Sequence, residues 1–157
     1  MALLGYKKQF APFVKDGSKT HTIRKRRKHP PKPGSMLYHY EGLRTVSCTK
    51  LCETPFKKLQ TICINSKGVV YTFSRRLTDE EVKVLSDPYF GALVFDFIIN
   101  GESTHYLSPV EKDQLAWRDG FRPDGTSLDA PAGAFKMMFK FFKQTHGLPF
   151  VGDFIHW

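Results

Sequence analysis

Residues 17–28 read GSKTHTIRKRRK and carry the clearest indication of the fold in this sequence. They join a turn, a short strand pattern and a dense group of cations. Side chains alternate along a strand, so Thr22 and Arg24 share one face while His21 and Ile23 share the other. Because Ile23 is apolar, we expect its face to meet the core. The polar face is open to two interpretations, a solvated strand surface or a corner that meets a ligand.

The composition is that of one folded domain. The chain has 157 residues, of which 41% are hydrophobic and 14% aromatic, including fourteen Phe. This is enough for one core and too little for two, so we expect residues 1–157 to form a single domain. No apolar run reaches the roughly 18 residues that a membrane helix needs, and the N-terminal residues lack the apolar stretch of a secretion signal. These features predict a cytoplasmic protein without a membrane partner.

The cysteines indicate reduced thiols and no metal site. The chain has three cysteines, which are Cys48, Cys52 and Cys63. An odd number in a chain of ordinary size disfavours a disulfide framework. Zinc sites use about four Cys or His ligands, and no second pair follows Cys48 and Cys52 at a matching distance. We therefore expect strand cysteines, no bound metal and no cofactor.

The positive charge is concentrated near the N-terminus. The formal net charge is +9, and the segment from Lys7 to Lys32 holds ten Lys or Arg against one acid, Asp16. We call residues 25–33, KRRKHPPKP, the basic loop. Its prolines restrict the backbone and hold the cations beside the polar face of the preceding strand pattern. A phosphate backbone is the natural ligand of such a loop, so RNA or a nucleotide is the predicted partner, and a solvated charged surface is the alternative.

The remaining pattern alternates strands and helices. Apolar spacing predicts a short helix over 8–14, and capping residues predict helices over 78–85 and 109–118. A Phe- and Met-rich stripe predicts the longest helix over 130–144. Strands are predicted at 20–24, 36–40, 45–51, 61–65, 69–73, 93–99 and 149–157. This order predicts an α+β fold.

Several of these segments are similar to a known family. Gly17 to Arg24 closely resembles the opening signature of the ASCH domain, a family of the PUA-like superfamily that begins with a helix and then Gly-x-Lys-Thr-x-Thr-x-Arg. Residues 33–40, PGSMLYHY, fit the next element, residues 42–45 with Cys48 resemble the phage-type branch, and residues 116–121, AWRDGF, are similar to the acidic-Gly-Phe segment. The match covers about the first fifty residues and a block near residue 120. Residues 53–103 form an unmatched insertion.

The resemblance implies a small PUA-like β-barrel with flanking helices and a cleft between them. In ASCH members with amidohydrolase activity, a lysine, the second threonine and a distant carboxylate line that cleft. By motif position these are Lys19, Thr22 and Asp119, and Arg24 completes the motif. The family more often has Glu at the acidic position, so Asp119 is one methylene shorter. An acid that is solvated or paired with Arg122 is the alternative interpretation of Asp119.

These residue types also suit one another chemically. A Thr hydroxyl is a weak nucleophile unless a neighbour takes its proton, and a Lys whose pKa is lowered by burial or by cations can do so. A carboxylate such as Asp119 then serves as acid and base. Arg24 holds an anionic or carbonyl oxygen. Glu111 and Asp113 are reserve carboxylates on the same predicted helix.

Three classes of function follow. The first is an RNA- or nucleotide-binding module, with contacts from Arg24, Arg44 and Tyr40 and from four cations of the basic loop, Lys25, Arg26, Arg27 and Lys28. Rings such as Tyr38, Tyr40 or Trp117 would stack on bases. The second is a hydrolase, either an amidohydrolase on N4-acylated cytidine-type nucleosides or a metal-independent ribonuclease that uses Lys19 with Arg24, His21 or His39. The third is an interaction protein, encoded by a phage or prophage, whose basic patch meets an acidic partner.

Overall fold

The computed structural model describes residues 2–86 and 104–157, which form a mixed α+β fold. Within this part of the chain there are eight strands and four α-helices. The strands are β1 (Ala2–Tyr6), β2 (His21–Lys25), β3 (Met36–Glu41), β4 (Thr49–Pro55), β5 (Lys58–Ile64), β6 (Val70–Phe73), β7 (Thr104–Tyr106) and β8 (Phe150–His156). The helices are α1 (Ala11–Lys15), α2 (Asp79–Leu85), α3 (Pro109–Arg118) and α4 (Ala134–His146). No helix among the described residues is long and apolar enough to span a membrane.

The strands form two sheets. One has three strands in the order β1-β3-β4, with β1 parallel to β3, and the other has five strands in the order β2-β8-β5-β6-β7, all antiparallel. In the described part of the chain these sheets do not join into one closed barrel.

Strand β8 links the two halves of the core, because its opposite faces are both buried. Phe150 and Phe154 pack into the apolar cluster beneath α3 and α4, while Ile155 belongs to the cluster around β1. Alternation along a strand accounts for this division. Gly152 allows the close approach of β2, because a Cβ atom there would lie 2.4 Å from the Arg24 carbonyl oxygen.

The capped helices begin where the sequence predicts. Thr78 and Ser108 each form a capping box with the Glu three residues later, at the N-termini of α2 and α3. Helix α4 begins at Ala134 and not at residue 130, because Gly133 at its N-cap has a φ of +83°. The N-terminal helix is also shorter than predicted, since residues 8–10 form a 3₁₀ turn before α1.

Three strands differ from the prediction. Strands β1 and β7 were not predicted, since both are short and neither has a clear alternating pattern. The strand expected at 45–51 begins only at Thr49, because residues 42–48 form a turn in which Arg44 has a φ of +74°. The strand predicted at 93–99 lies outside the described residues.

Candidate functional site

Lys19 and Asp119 meet at the centre of the molecule. The Lys19 ammonium donates to the Asp119 side chain and, at 2.5 Å, to the Asp119 backbone carbonyl. Both residues are almost fully buried, with exposures of 2% and 5%. Asp119 is therefore neither solvated nor paired with Arg122, and the alternative interpretation of this residue is wrong. Arg122 instead donates to Ser18 Oγ at 2.8 Å.

Backbone geometry places the Asp119 carboxylate toward Lys19. Asp119 is the C-cap of α3, and Gly120 follows it with a φ of +98°. A Cβ atom at Gly120 would lie 2.8 Å from a ring carbon of Phe10. Glycine is the residue that combines this left-handed conformation with such a close approach. The turn after α3 thus brings the shorter Asp side chain within reach of Lys19.

A cavity of about 410 Å³, hereafter the cleft, brings the predicted site residues together. Lys19, Thr22, Arg24 and Asp119 all line it. The rest of its wall comes from β1, the segment before α1, β2 and the basic loop after it, the turn after α3, and the end of α4. These other lining residues are Gly5, Tyr6, Lys7, Phe10, Ile23, Lys25, Arg27, Phe121, Phe141, Phe142, Thr145 and His146.

Arg24 is held in place from two sides of the cleft. Its guanidinium donates to the Gly5 carbonyl at 2.6 Å and to Thr22 Oγ1 at 3.2 Å, and it lies 4.9 Å from the centre of the Tyr6 ring. Because Thr22 Oγ1 accepts from Arg24, its own O–H is left to donate elsewhere. Among the described residues no hydrogen bond joins Lys19 to Thr22. The Lys19 ammonium instead donates its hydrogen bonds to Asp119.

Burial shifts the pKa values of the central pair toward the uncharged forms. Desolvation lowers the pKa of Lys19 to about 8, although Asp119 opposes the shift. Desolvation likewise raises the pKa of Asp119, with Lys19 opposing it. The pKa of each partner is therefore displaced toward its uncharged form, while the contact between the two opposes both displacements. Perturbed groups of this kind concentrate at functional sites.

A second cavity, hereafter the basic groove, adjoins the cleft. It measures about 970 Å³ and shares Gly5, Tyr6, Lys7, Arg24 and Arg27 with the cleft wall. Six Lys or Arg side chains and no Asp or Glu line it, namely Lys7, Arg24, Arg27, Lys28, Lys32 and Arg44. The two cavities therefore form one continuous surface with Arg24 at their junction.

Two residues of the basic loop, Arg26 and Arg27, make contacts that hold the loop to the rest of the fold. Arg26 pairs with Asp79 at 2.8 Å and lines neither cavity. Asp153, which is fully buried, accepts from the Arg27 backbone N–H and from Arg76 Nε, each at 2.9 Å. These contacts fix the loop while Lys28 keeps its exposed side chain at the groove.

The other predicted binding residues are dispersed. Lys25 reaches the cleft and Arg44 the basic groove, whereas Tyr40 lines neither. Trp117 is covered by the Arg122 guanidinium, 3.9 Å from its ring. Tyr38 and Trp117 also lie outside both cavities.

His21 and His39, the two histidines predicted for ribonuclease chemistry, are buried behind the wall of the cleft. His39 is fully buried between the Tyr6 hydroxyl at 3.1 Å and Thr54 Oγ1 at 2.7 Å. Burial lowers its pKa to about 4. His21 lies on the core face beside Phe154, as its alternation with Ile23 predicts. Neither ring lines the cleft.

Sequence reasoning missed several lining side chains, among them Tyr6, Phe10, Phe141 and His146. Tyr6 belongs to the unpredicted strand β1. Phe141 and His146 come from the last turns of α4, where a stripe of apolar residues reads as ordinary core. Only the tertiary fold, in which α4 packs on α3 and its end lines the same cavity as β2, brings them to the cleft, so no local signal could have found them.

Within residues 2–86 and 104–157, no three His, Cys, Asp or Glu side chains gather in the way that a metal ion requires. Cys48 is exposed, Cys52 is half-buried and Cys63 is buried, and all three are free thiols. In comparisons with known proteins, no family, no curated protein and no solved structure matches the chain. The site therefore has to be interpreted from its own geometry.

Proposed function

We propose that this protein binds RNA, with one nucleotide seated in the cleft and the adjoining backbone in the basic groove. The observation that carries the proposal is that Lys19, Thr22, Arg24 and Asp119 line one cavity that is continuous with a groove lined by cations. A base-sized recess next to a positively charged surface suits a nucleotide better than a small neutral metabolite.

The dimensions and lining of the cleft support a single base or nucleoside as its occupant. A cavity of about 410 Å³ lies at the lower end of the range for small-molecule sites, roughly 300–1,000 Å³. Phe10 and Phe141 offer ring surfaces, while Thr22 and Lys19 offer polar atoms. Ring faces with a few polar groups are the usual means of holding an unstacked base.

The groove supports the phosphate part of the proposal. Its cations are not neutralised by a lining carboxylate, and the acceptors of Arg24 and Arg27 are neutral oxygens, the Gly5 and Leu3 carbonyls. A positive surface of this kind attracts a phosphate backbone and makes binding dependent on salt.

We also propose that the chain is a divergent ASCH-type domain of the PUA-like superfamily. Support comes from the convergence of the four motif positions on one cleft, and from the arrangement of two sheets with helices at the cleft wall. The PUA-like barrel is part of this proposal.

The test is binding of a fluorescent single-stranded RNA of mixed sequence, followed by anisotropy across a series of salt concentrations. We expect affinity to fall steeply with salt, and we expect the variant Lys28→Ala to bind more weakly. The matched control is Lys140→Ala, an exposed lysine on α4 that lines neither cavity. Absence of RNA binding, or equal loss in both variants, would contradict the proposal. Salt-sensitive capture of an acidic protein without RNA binding would favour an interaction protein.

A second candidate is amide hydrolysis on an N4-acylated cytidine-type nucleoside. It is favoured by one observation, the lowered pKa of the Lys19 amine in the same cleft as the Thr22 hydroxyl. In this reaction Lys19 acts as base toward Thr22 or a water, and Asp119 returns a proton to the leaving amine. Chromatographic detection of released cytidine tests it. Turnover should disappear in Thr22→Val and Asp119→Asn and persist in Lys140→Ala.

A further inference from the structure

Behind the central pair lies a buried histidine nitrogen with no partner. His21 is 4% exposed, and its Nε2 atom has no hydrogen bond to any described residue. That nitrogen lies 4.0 Å from Asp119 Oδ1, the same oxygen that receives the Lys19 ammonium. Buried polar atoms normally have partners, so an unsatisfied one beside a reactive pair requires an explanation.

Neighbouring aromatic rings fix the position of the His21 ring. The edge of His21 packs at 85° against the Phe154 ring, with 4.9 Å between centroids, and His156 lies 5.9 Å away on the opposite strand. Burial and the nearby Lys19 keep the pKa of His21 well below its usual range, so the ring is uncharged at neutral pH. A neutral imidazole has one nitrogen that accepts a hydrogen bond.

We propose that His21 is a positioning residue that accepts a hydrogen bond from protonated Asp119 when Lys19 is released as a neutral amine. The step moves one proton. Lys19 Nζ transfers a proton to Asp119 Oδ1, leaving an amine and a carboxylic acid, and the new O–H then donates to His21 Nε2. Total charge is unchanged, and no co-reactant is needed. A closure of about 1 Å brings the two atoms to hydrogen-bond distance.

This assignment gives each of the three groups a distinct task. Lys19 faces the cleft, Asp119 exchanges the proton, and His21 stabilises the acid from the side away from the ligand. It rests on the proposed function in one respect, that Lys19 is the group that meets the ligand. Without an acceptor at His21, the O–H of the acid would have no acceptor once the amine turned away, and the charged pair would be favoured. The Ile23 backbone N–H also bonds to the Asp119 carboxyl group, but it is a donor and cannot replace His21.

Other titratable or charged groups also face these three residues, and they are unchanged in the His21 variants. They come from β1, β2, β3, β8 and the end of α3 with its following turn. These groups are Tyr6, Arg24, His39, His156, Arg118 and Arg122. His156 is the matched control, because it also has an unpartnered buried Nε2 but forms no ion pair with Asp119 in the described part of the chain.

The experiment is NMR titration of Lys19 in protein labelled with ¹³C and ¹⁵N lysine, with the signal assigned by its loss in Lys19→Met. In His21→Phe we expect the Lys19 Nζ and Cε shifts at neutral pH to move toward those of a charged ammonium, because the neutral tautomer of the pair has lost its acceptor. Transfer within the pair conserves its proton count, so the effect is a change in shift at fixed pH and not a higher pKa. His21→Gln should retain most of the wild-type shift, since the amide oxygen can accept. His156→Phe should leave the shift unchanged. An unchanged Lys19 shift in folded His21→Phe, or an equal change in His156→Phe, would overturn the assignment.

A measurement on the wild type keeps the proposal testable if His21→Phe does not fold. The ¹⁵N shift of His21 Nε2 should change over the same pH range as Lys19, because the hydrogen bond from the acid is lost once the pair releases its proton to solvent. A ¹⁵N shift of His21 Nε2 that stays constant over the pH range of the Lys19 titration would refute the proposed role of His21. No RNA or nucleoside enters either measurement, so failure of the RNA-binding proposal would appear separately as absent binding with the titration intact.

Discussion

Lys19 and Asp119, which lie 100 residues apart in the chain, form a buried ion pair that joins the loop before β2 to the end of α3. The pair also fixes part of the cleft wall. Burial of two charges is costly, and their mutual contact offsets that cost only while both partners are present. This relationship makes the cleft and the stability of the fold interdependent.

Removal of one partner should therefore destabilise the protein more than removal of both. We expect Lys19→Met or Asp119→Leu alone to lower the free energy of unfolding by about 3–5 kcal/mol, because an uncompensated charge remains buried. The double variant should lose less than the sum of the two. Urea denaturation of the single and double variants measures this coupling.

The exposed pair formed by Lys50 and Glu53 provides the control for that experiment. Its single and double variants should change stability little, since surface ion pairs contribute weakly. Additive losses at Lys19 and Asp119 would contradict the interdependence of the buried pair.

The turn after α3 should tolerate no side chain at Gly120. We expect Gly120→Ala to destabilise the protein by more than the roughly 1–2 kcal/mol of a left-handed alanine, because its Cβ would also clash with Phe10 at 2.8 Å. Gly125→Ala isolates the conformational cost, since Gly125 also has a positive φ and has no atom within 4 Å of a built Cβ. Thermal unfolding compares the two. Equal losses would show that the contact with Phe10 is unimportant.

Buried histidines should make the protein sensitive to acid. Burial lowers the pKa values of His39 and His156 to about 4 from an ordinary value of 6.5. The unfolded chain therefore binds protons between pH 6.5 and 4 that the folded chain does not, so the free energy of unfolding falls as pH falls through this window. Urea denaturation at several pH values measures the slope. The slope should be smaller in His39→Gln and unchanged in the exposed control His29→Gln.

The basic groove should contribute to RNA binding through independent phosphate contacts. We expect Lys28→Ala and Arg44→Ala each to reduce the slope of log affinity against log salt by about one, and by about two together. Both side chains are exposed at the groove. Anisotropy titrations from low to high salt give the slopes. A loss of affinity with an unchanged slope would assign these residues a structural role.

The buried carboxylate of Asp153 should control the mobility of the basic loop. In Asp153→Asn, one amide group replaces the acceptors of the Arg27 N–H and of Arg76, so we expect faster amide exchange across residues 25–33. The free energy of unfolding should fall by about 3 kcal/mol, since the Arg76 charge loses its partner. Hydrogen exchange with mass detection follows the loop. Asp79→Asn, which removes the exposed partner of Arg26, should have a smaller effect.

Local features of the structure were predictable from the sequence. The capping boxes at Thr78 and Ser108 and the two faces of β2 depend on spacings of two to four residues, and all of them occur in the structure. Strand β1 was missed because its pairing with β3, more than thirty residues away, makes it a strand. Its own residues carry little local preference.

Local sequence specified the starts of α2 and α3, the alternation of β2 and the concentration of cations before residue 33. Those properties arise from interactions among near neighbours. Long-range packing set the burial of Asp119 against Lys19, the pairing of Arg26 with Asp79 and the position of His146 at the cleft. Burial and charge pairing depend on which distant segments meet, and β8, whose residues belong to both core clusters, connects those segments.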